Sequence, residues 1–141
     1  MNNLPIQLST PRTTVTGTTN GPILTLAAND YDGAGANNAL LFTAGSSGSF
    51  IQKFRLKALG TNVATVLRVF LNNGLTNGTA ANNAFFDEIP LPATTASSSS
   101  STSPPIELVV NIALPAGFRV YAGLGTAVAS GWQVTPIGGD Y

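Results

Sequence analysis

The stretch FIQKFRLKALGTNVATVLRVFLNN, residues 50–73, carries the clearest alternation of apolar and polar side chains in the chain. Across residues 50–59, Phe54 and Leu56 fall on one face of an extended chain, and three cations fall on the other. The cations are Lys53, Arg55 and Lys57. A period of two is typical of a β-strand with one buried face. These residues therefore predict a strand whose cations face outwards.

Residues 63–73, the second half of the stretch, predict a strand that is covered on both sides. Leu67 and Val69 lie on one face, while the other face carries Phe70 beside Arg68. Apolar side chains on both faces favour a central position in a sheet. The link at residues 60–62 is short enough to join the two strands as a hairpin.

Six further segments are short, apolar or alternating, and bounded by turn-forming residues. They are residues 23–28, 39–43, 83–91, 106–114, 118–124 and 132–137. Pro90, near the end of one of them, marks an edge strand or a strand exit. No segment of ten or more residues shows a capped apolar repeat of helical period. Eight short strands predict an all-β, single-domain antiparallel β-sandwich.

The segment PATTASSSSSTSPP, residues 92–105, has the composition of a tether between two domains. About five predicted strands precede it and about three follow, and three strands alone are marginally stable. We therefore predict one domain, residues 23–141, with a flexible Ser-rich loop at 93–105. Residues 1–22 are rich in Pro, Thr and Asn and predict an extended N-terminal arm.

Composition limits the chemistry that the chain can perform. Its 141 residues include no cysteine and no histidine, so disulfides and the commonest general base are excluded. Charged residues are 9% of the chain, with six cations and six anions, and a net charge near zero tolerates association. The start of the chain has no secretory signal pattern, and its apolar stretches are too short to span a bilayer. We expect a protein that is synthesised in a cytoplasm and binds no membrane.

The residues that could perform catalysis are few. Eleven serines lack a histidine partner, and a Ser–Lys pair would need Lys53 or Lys57 on the outward face. Any pair of catalytic carboxylates would come from Asp30, Asp32, Asp87, Glu88, Glu107 and Asp140. Asp87 and Glu88 are adjacent, so a strand points them to opposite faces. We expect no enzyme, no catalytic residues and no small-molecule substrate.

The motif DYDG, residues 30–33, resembles the opening of a calcium loop. The later ligands of such a loop are missing, and Asp and Gly are also typical of turns. We therefore expect a plain turn, with no metal and no cofactor.

Two surface features admit more than one interpretation. The basic stripe of residues 53, 55 and 57, with Arg68 expected nearby, favours a solvated strand face over contact with an acidic partner. Nucleic acid is not expected, because Phe54 lies on the opposite face and cannot serve as a stacking platform. The aromatic residues that could stack on sugar rings are Trp132, Tyr31, Tyr121 and Tyr141. A single tryptophan in a strand, however, more often belongs to a core or an interface.

Three segments together resemble a known group of proteins: ATVLRVFLNNG (64–74), FFDEIPLPATT (85–95) and LPAGFRVYAGLG with WQVTPIGGDY (within 114–141). They are similar to the small β-sandwich decoration, or cement, proteins on the heads of tailed bacteriophages. The resemblance covers about two thirds of the chain, and its motifs are patterns of strands and turns. By analogy it favours a jelly roll over an immunoglobulin-like topology.

The resemblance implies a structural virion protein on the capsid surface. Such proteins commonly form homotrimers and bridge copies of a major capsid protein with the HK97-like fold. The alternatives are a tail, baseplate or head-fibre component, or a carbohydrate-binding β-sandwich module. Under the cement interpretation, the N-terminal arm docks onto the shell or a neighbouring subunit, and the serine loop faces solvent.

Overall fold

The structure, a computed structural model, describes residues 22–28 and 30–141 and contains eight β-strands in this part of the chain. The strands are β1 (Ile23–Leu24), β2 (Ala39–Thr43), β3 (Ser49–Ala58), β4 (Thr65–Asn72), β5 (Asn83–Leu91), β6 (Ile106–Leu114), β7 (Arg119–Leu124) and β8 (Trp132–Asp140). A 3-10 turn, Ala80–Asn82, immediately precedes β5. The predicted number of strands is confirmed.

The strands form two four-stranded antiparallel sheets that pack face to face. Sheet A has the order β1-β8-β3-β6 and sheet B the order β2-β7-β4-β5. The pairs nest along the chain: β4 with β5, β3 with β6, β2 with β7 and β1 with β8. Pairing of β3 with β8 and of β4 with β7 closes the two sheets. This arrangement is an eight-stranded jelly roll, so the predicted single-domain, jelly-roll-like sandwich is confirmed.

The core lies between the sheets and is built from the inward faces of the strands. On β3, Phe54, Leu56 and Ala58 are buried while Arg55 is exposed, which confirms the predicted alternation. Trp132, at the start of β8, is completely buried in the same core. Burial of such a large side chain contributes about 1.5–3 kcal/mol.

The predicted hairpin between the first two strands of the quoted stretch is wrong. β3 belongs to sheet A and β4 to sheet B, so residues 59–64 carry the chain across the sandwich. A short link fits a crossover as well as a hairpin. Because of the crossover, Phe54 on β3 and Leu67 on β4 lie in opposite sheets and pack into the same core.

β4 is central in sheet B and is covered on both sides, as predicted. Its neighbours are β7 and β5, and Phe70 on its outer face is completely buried. The loop between β1 and β2 covers this face: a Cβ added at Gly33 would lie 2.9 Å from the Phe70 ring. β5 forms an edge of sheet B, which confirms the interpretation of Pro90.

Three strands differ in length from their predictions by three residues or more, namely β1, β4 and β8. Predicted strand 23–28 is paired with β8 only over β1, because the chain then turns to sheet B, where Ala28 N–H donates to Leu124 O at 2.8 Å. β8 continues beyond the predicted residue 137 to Asp140. Gly138 permits this extension, since a Cβ there would lie 2.2 Å from Phe50 O.

The serine-rich connection joins β5 of sheet B to β6 of sheet A. Its second half is tied to β3: Lys57 Nζ donates to Ser101 Oγ at 2.8 Å, and Thr102 Oγ1 donates to Ala58 O at 3.2 Å. Residues 95–101 are exposed. The flexibility of this loop stays a prediction. The predicted arm at 1–22 lies outside the described residues, apart from Pro22.

One buried asparagine holds together three of the connections that cross between the sheets. Asn62, 3% exposed, accepts hydrogen bonds at Oδ1 from Ser130 N at 2.9 Å and Gly131 N at 2.8 Å. Its Nδ2 donates to Gly131 O at 3.1 Å and to Thr94 Oγ1 at 3.3 Å. Its backbone also pairs with that of Thr94. The β3–β4, β5–β6 and β7–β8 connections therefore meet at one amide.

Replacing Asn62 with alanine is expected to lower the free energy of unfolding by about 2–4 kcal/mol, because it leaves buried backbone groups of the β7–β8 connection without partners. Urea denaturation measures the loss. Asn73→Ala is the matched control: Asn73 is exposed and its amide bonds Asn82 and Leu75, so its removal is expected to cost less than about 1 kcal/mol. Equal losses for the two variants would contradict the role of Asn62.

Candidate interaction surfaces

The outer face of sheet A is a mixed basic and aliphatic surface, which we call the basic face. Its side chains alternate with the buried ones along β8, β3 and β6, and they are exposed or half-buried. They are Gln133, Thr135 and Ile137 on β8, Lys53, Arg55 and Lys57 on β3, and Glu107 and Val109 on β6. The predicted outward orientation of the three cations is confirmed.

The cations of the basic face differ in their partners. Lys53 Nζ lies 2.9 Å from Glu107 Oε2 on the neighbouring strand. Lys57 is engaged by Ser101 and by the carbonyl oxygen of Ser103. Arg55 is exposed between them and forms no ion pair within the described part of the chain. Arg55 is therefore the cation best placed to meet an external anion.

Arg68 does not join this stripe, so its predicted position near it is wrong. It lies on the outer face of sheet B, on the opposite side of the sandwich, and is 8% exposed. Its guanidinium group stacks on the Tyr31 ring, with Cζ 3.9 Å from the ring centre, and Nη2 donates to Tyr31 Oη at 2.9 Å. Glu88 Oε2 lies 3.4 Å from Arg68 Nε. Arg68 thus fastens the β1–β2 loop to β4.

Beside Arg68 lies a second surface, which we call the aromatic–acidic corner and define by Tyr31, Asp32, Phe85 and Glu88. The Tyr31 and Phe85 rings meet edge to face at 5.7 Å, and Phe85 also contacts buried Phe70. Both outer rings are exposed, at 61% for Tyr31 and 45% for Phe85. The corner therefore presents apolar rings beside two carboxylates.

The two sides of the sandwich differ in net charge. The basic face carries three cations and one carboxylate, a net of plus two. Sheet B and the loop that covers it carry two cations and four carboxylates, a net of minus two. These six residues are Arg68, Arg119, Asp30, Asp32, Asp87 and Glu88. Asp140, at the end of β8, brings sheet A as a whole to plus one, so the charges of the described residues are unequally divided between the two sheets.

The motif DYDG forms a turn, as predicted. Asp30 Oδ1 accepts a hydrogen bond from Gly33 N at 2.8 Å, and Asp32 Oδ1 accepts one from Ala34 N at 2.9 Å. Gly33 has φ +74, a conformation that glycine adopts without strain. Asn38 Nδ2 donates to both oxygens of Asp30. Among residues 22–28 and 30–141, no three metal-ligating side chains cluster.

The remaining carboxylates lie apart from one another. Glu107 is on sheet A and Asp140 is at the opposite end of the sandwich from Asn62. The Ser49 hydroxyl donates to Asp140 Oδ1, and Gly45 N donates to Ser49 Oγ at 2.9 Å. This buried serine, which the sequence did not single out, ties the β2–β3 turn to the end of β8.

The four aromatic residues considered for sugar stacking separate into two pairs. Trp132 and Tyr121 are buried and offer no ring face to a ligand. Tyr31 and Tyr141 are exposed, but Arg68 already covers one face of the Tyr31 ring. The four rings therefore do not form a common stacking platform.

An aliphatic rim surrounds the β7–β8 loop, at the end of the sandwich held by Asn62. Four large side chains are exposed there: Ile23 at 42%, Leu26 at 59%, Leu59 at 45% and Val63 at 57%. Leu59 N donates to Gly131 O at 3.0 Å, and a Cβ added at Gly131 would lie 2.7 Å from Ile23 Cγ2. No local pattern in the sequence marks this rim, since its members belong to three different segments.

Comparisons with protein-family models, with curated proteins and with solved structures found no match for this chain. In the described residues, no helix has the length and apolarity needed to cross a membrane. What these surfaces can bind follows from their own side chains, which are aliphatic at the rim, basic on sheet A, and aromatic and acidic at the corner.

Replacing Arg68 with lysine is expected to lower the free energy of unfolding by about 1–2 kcal/mol, because lysine keeps the charge but loses the planar stack on Tyr31 and the fork of donors. Urea denaturation measures the change. Arg55→Lys, an exposed substitution of the same type, is the control and is expected to stay within about 0.5 kcal/mol of the unsubstituted chain. A loss confined to Arg55→Lys would contradict this assignment.

Proposed function

We propose that the protein is a structural virion protein, a decoration or cement protein on the outside of a tailed-bacteriophage head. It binds the assembled shell and bridges neighbouring subunits of an HK97-like major capsid protein, acting as a homotrimer. The three segments that resemble such proteins support the proposal. The jelly roll is compatible with it, although the same fold also serves lectins and other proteins.

The observation that carries the proposal is the aliphatic rim. Exposed aliphatic side chains grouped on one surface of a soluble domain are typical of a site for another protein. Each side chain that becomes fully buried in a contact contributes up to about 1.5–3 kcal/mol. The rim is held on a rigid base, since Leu59 and Val63 flank the segment that contains Asn62. A rigid base loses little conformational entropy when it docks.

The stabilising mechanism is thermodynamic linkage. A protein that binds the assembled shell but not its separated subunits shifts the equilibrium towards the shell by mass action. Modest affinity at each site is sufficient, because several linked copies on one particle bind with avidity. No chemical reaction is required. The serine loop lies beside the rim, at the periphery of the docking contact.

The proposal is tested by co-sedimentation with undecorated heads of the virus that encodes the chain. Leu59→Asp is expected to weaken binding by about tenfold or more, because a carboxylate at the rim must be desolvated on docking. Leu75→Asp is the matched control: Leu75 is an exposed leucine on the β4–β5 loop, at the other end of the sandwich, and its substitution is expected to leave binding unchanged.

Co-sedimentation of the unsubstituted chain that is no greater than that of an unrelated protein would contradict the proposed function. Binding that resists Leu59→Asp but is lost with Leu75→Asp would keep the function and overturn the assignment of the rim.

A further inference from the structure

The basic face and the aromatic–acidic corner have complementary chemistry. On the basic face, Arg55 lies in a register row with Thr135 and Glu107, next to the row that contains Ile137 and Val109. At the corner, two exposed rings lie beside the Asp32 and Glu88 carboxylates. Each surface therefore combines an apolar pair with an excess of one charge, positive on the basic face and negative at the corner.

Within the part of the chain that the structure describes, both surfaces are accessible. Val109 is 59% exposed and Tyr31 is 61% exposed, values that are unusual for large apolar side chains in strands and ordered turns. Arg55 has no ion pair among the described residues, and the Asp32 carboxylate bonds only the backbone of Ala34. These groups are free to make contacts outside the subunit.

We infer that copies of this chain associate head to tail, with the basic face of one copy against the aromatic–acidic corner of the next. Tyr31 and Phe85 of one copy cover the aliphatic side chains of sheet A in its neighbour. Asp32 faces Arg55, and the contact is heterologous, because the two surfaces are different parts of the chain. The inference deepens the proposed function, on which it rests for the expectation that copies act together.

A second copy fits the basic face better than nucleic acid does. The net charge of the basic face, plus two, is small. Its aliphatic residues, half-buried Ile137 and exposed Val109, offer no ring for a base to stack on. The corner supplies both the carboxylates and the apolar surface that the face requires. Complementary charges mainly orient such a contact, while apolar burial supplies most of the affinity.

The experiment measures the mass of the full-length chain by light scattering and sedimentation equilibrium, without any shell. The association constant is expected to fall by about tenfold between about 50 mM and about 500 mM NaCl, because salt screens the facing charges. Arg55→Asp alone and Asp32→Arg alone are each expected to weaken association by about tenfold or more, because each places like charges opposite one another.

The double variant Arg55→Asp with Asp32→Arg in one chain exchanges the two charges and is expected to recover most of the association. Recovery also excludes misfolding as the cause of the single-variant losses. Arg119→Asp is the control, since Arg119 lies on sheet B outside both surfaces and donates to Leu75 O. It is expected to leave association intact.

The inference is overturned by a chain that stays monomeric at all concentrations and at low salt. It is equally overturned if neither salt nor either single charge reversal changes the association constant. A double variant that associates no more strongly than either single variant also overturns it. Shell binding is measured separately, so an unsubstituted chain that stays monomeric but co-sediments with the heads contradicts only the contact between copies.

Discussion

The jelly roll depends on a single constraint at one end, where the chain must cross between sheets several times without leaving buried backbone groups unpaired. Asn62, in the β3–β4 connection, meets this constraint because its side chain both donates to and accepts from the β7–β8 connection, while its backbone pairs with Thr94 of the β5–β6 connection. An aliphatic side chain of equal size in this position would leave buried backbone groups of the β7–β8 connection without partners, which is costly. The exposed rim is ordered because it is attached to this centre.

Among residues 22–28 and 30–141, a loop covers the outer face of sheet B but not that of sheet A, and the two faces differ in composition for this reason. The β1–β2 loop returns over sheet B, where Gly33 approaches Phe70 and Arg68 stacks on Tyr31. That cover accounts for the apolar residues on both sides of β4. Within the described part of the chain, no segment covers the outer face of sheet A, and β3 therefore alternates between buried and outward side chains from Phe54 to Ala58. The two halves of the stretch at residues 50–73 therefore differ in pattern because they belong to different sheets.

Local patterns in the sequence were sufficient to predict the strands, the edge position of Pro90 and the DYDG turn. They were insufficient for the pairing of β3, since a short link such as residues 60–62 suits a hairpin and a crossover equally. The misplacement of Arg68 follows from the same error, because its side of the sandwich depends on the sheet to which β4 belongs. The rim and the Asn62 centre join residues distant in the chain, and no local pattern marks them.

The formal net charge of zero does not show how charge is distributed over the surface of the protein. Were the charges evenly mixed, copies would meet in many orientations with similar energies; segregation to opposite sides makes one orientation preferable to the others. Glu88 and Phe85 lie on β5, the edge strand of sheet B, and the corner is therefore displaced from the middle of that sheet. An off-centre corner is compatible with a head-to-tail contact that rotates each copy relative to the last. Rotation is what allows a heterologous contact to close into a ring, where pure translation would produce an open filament.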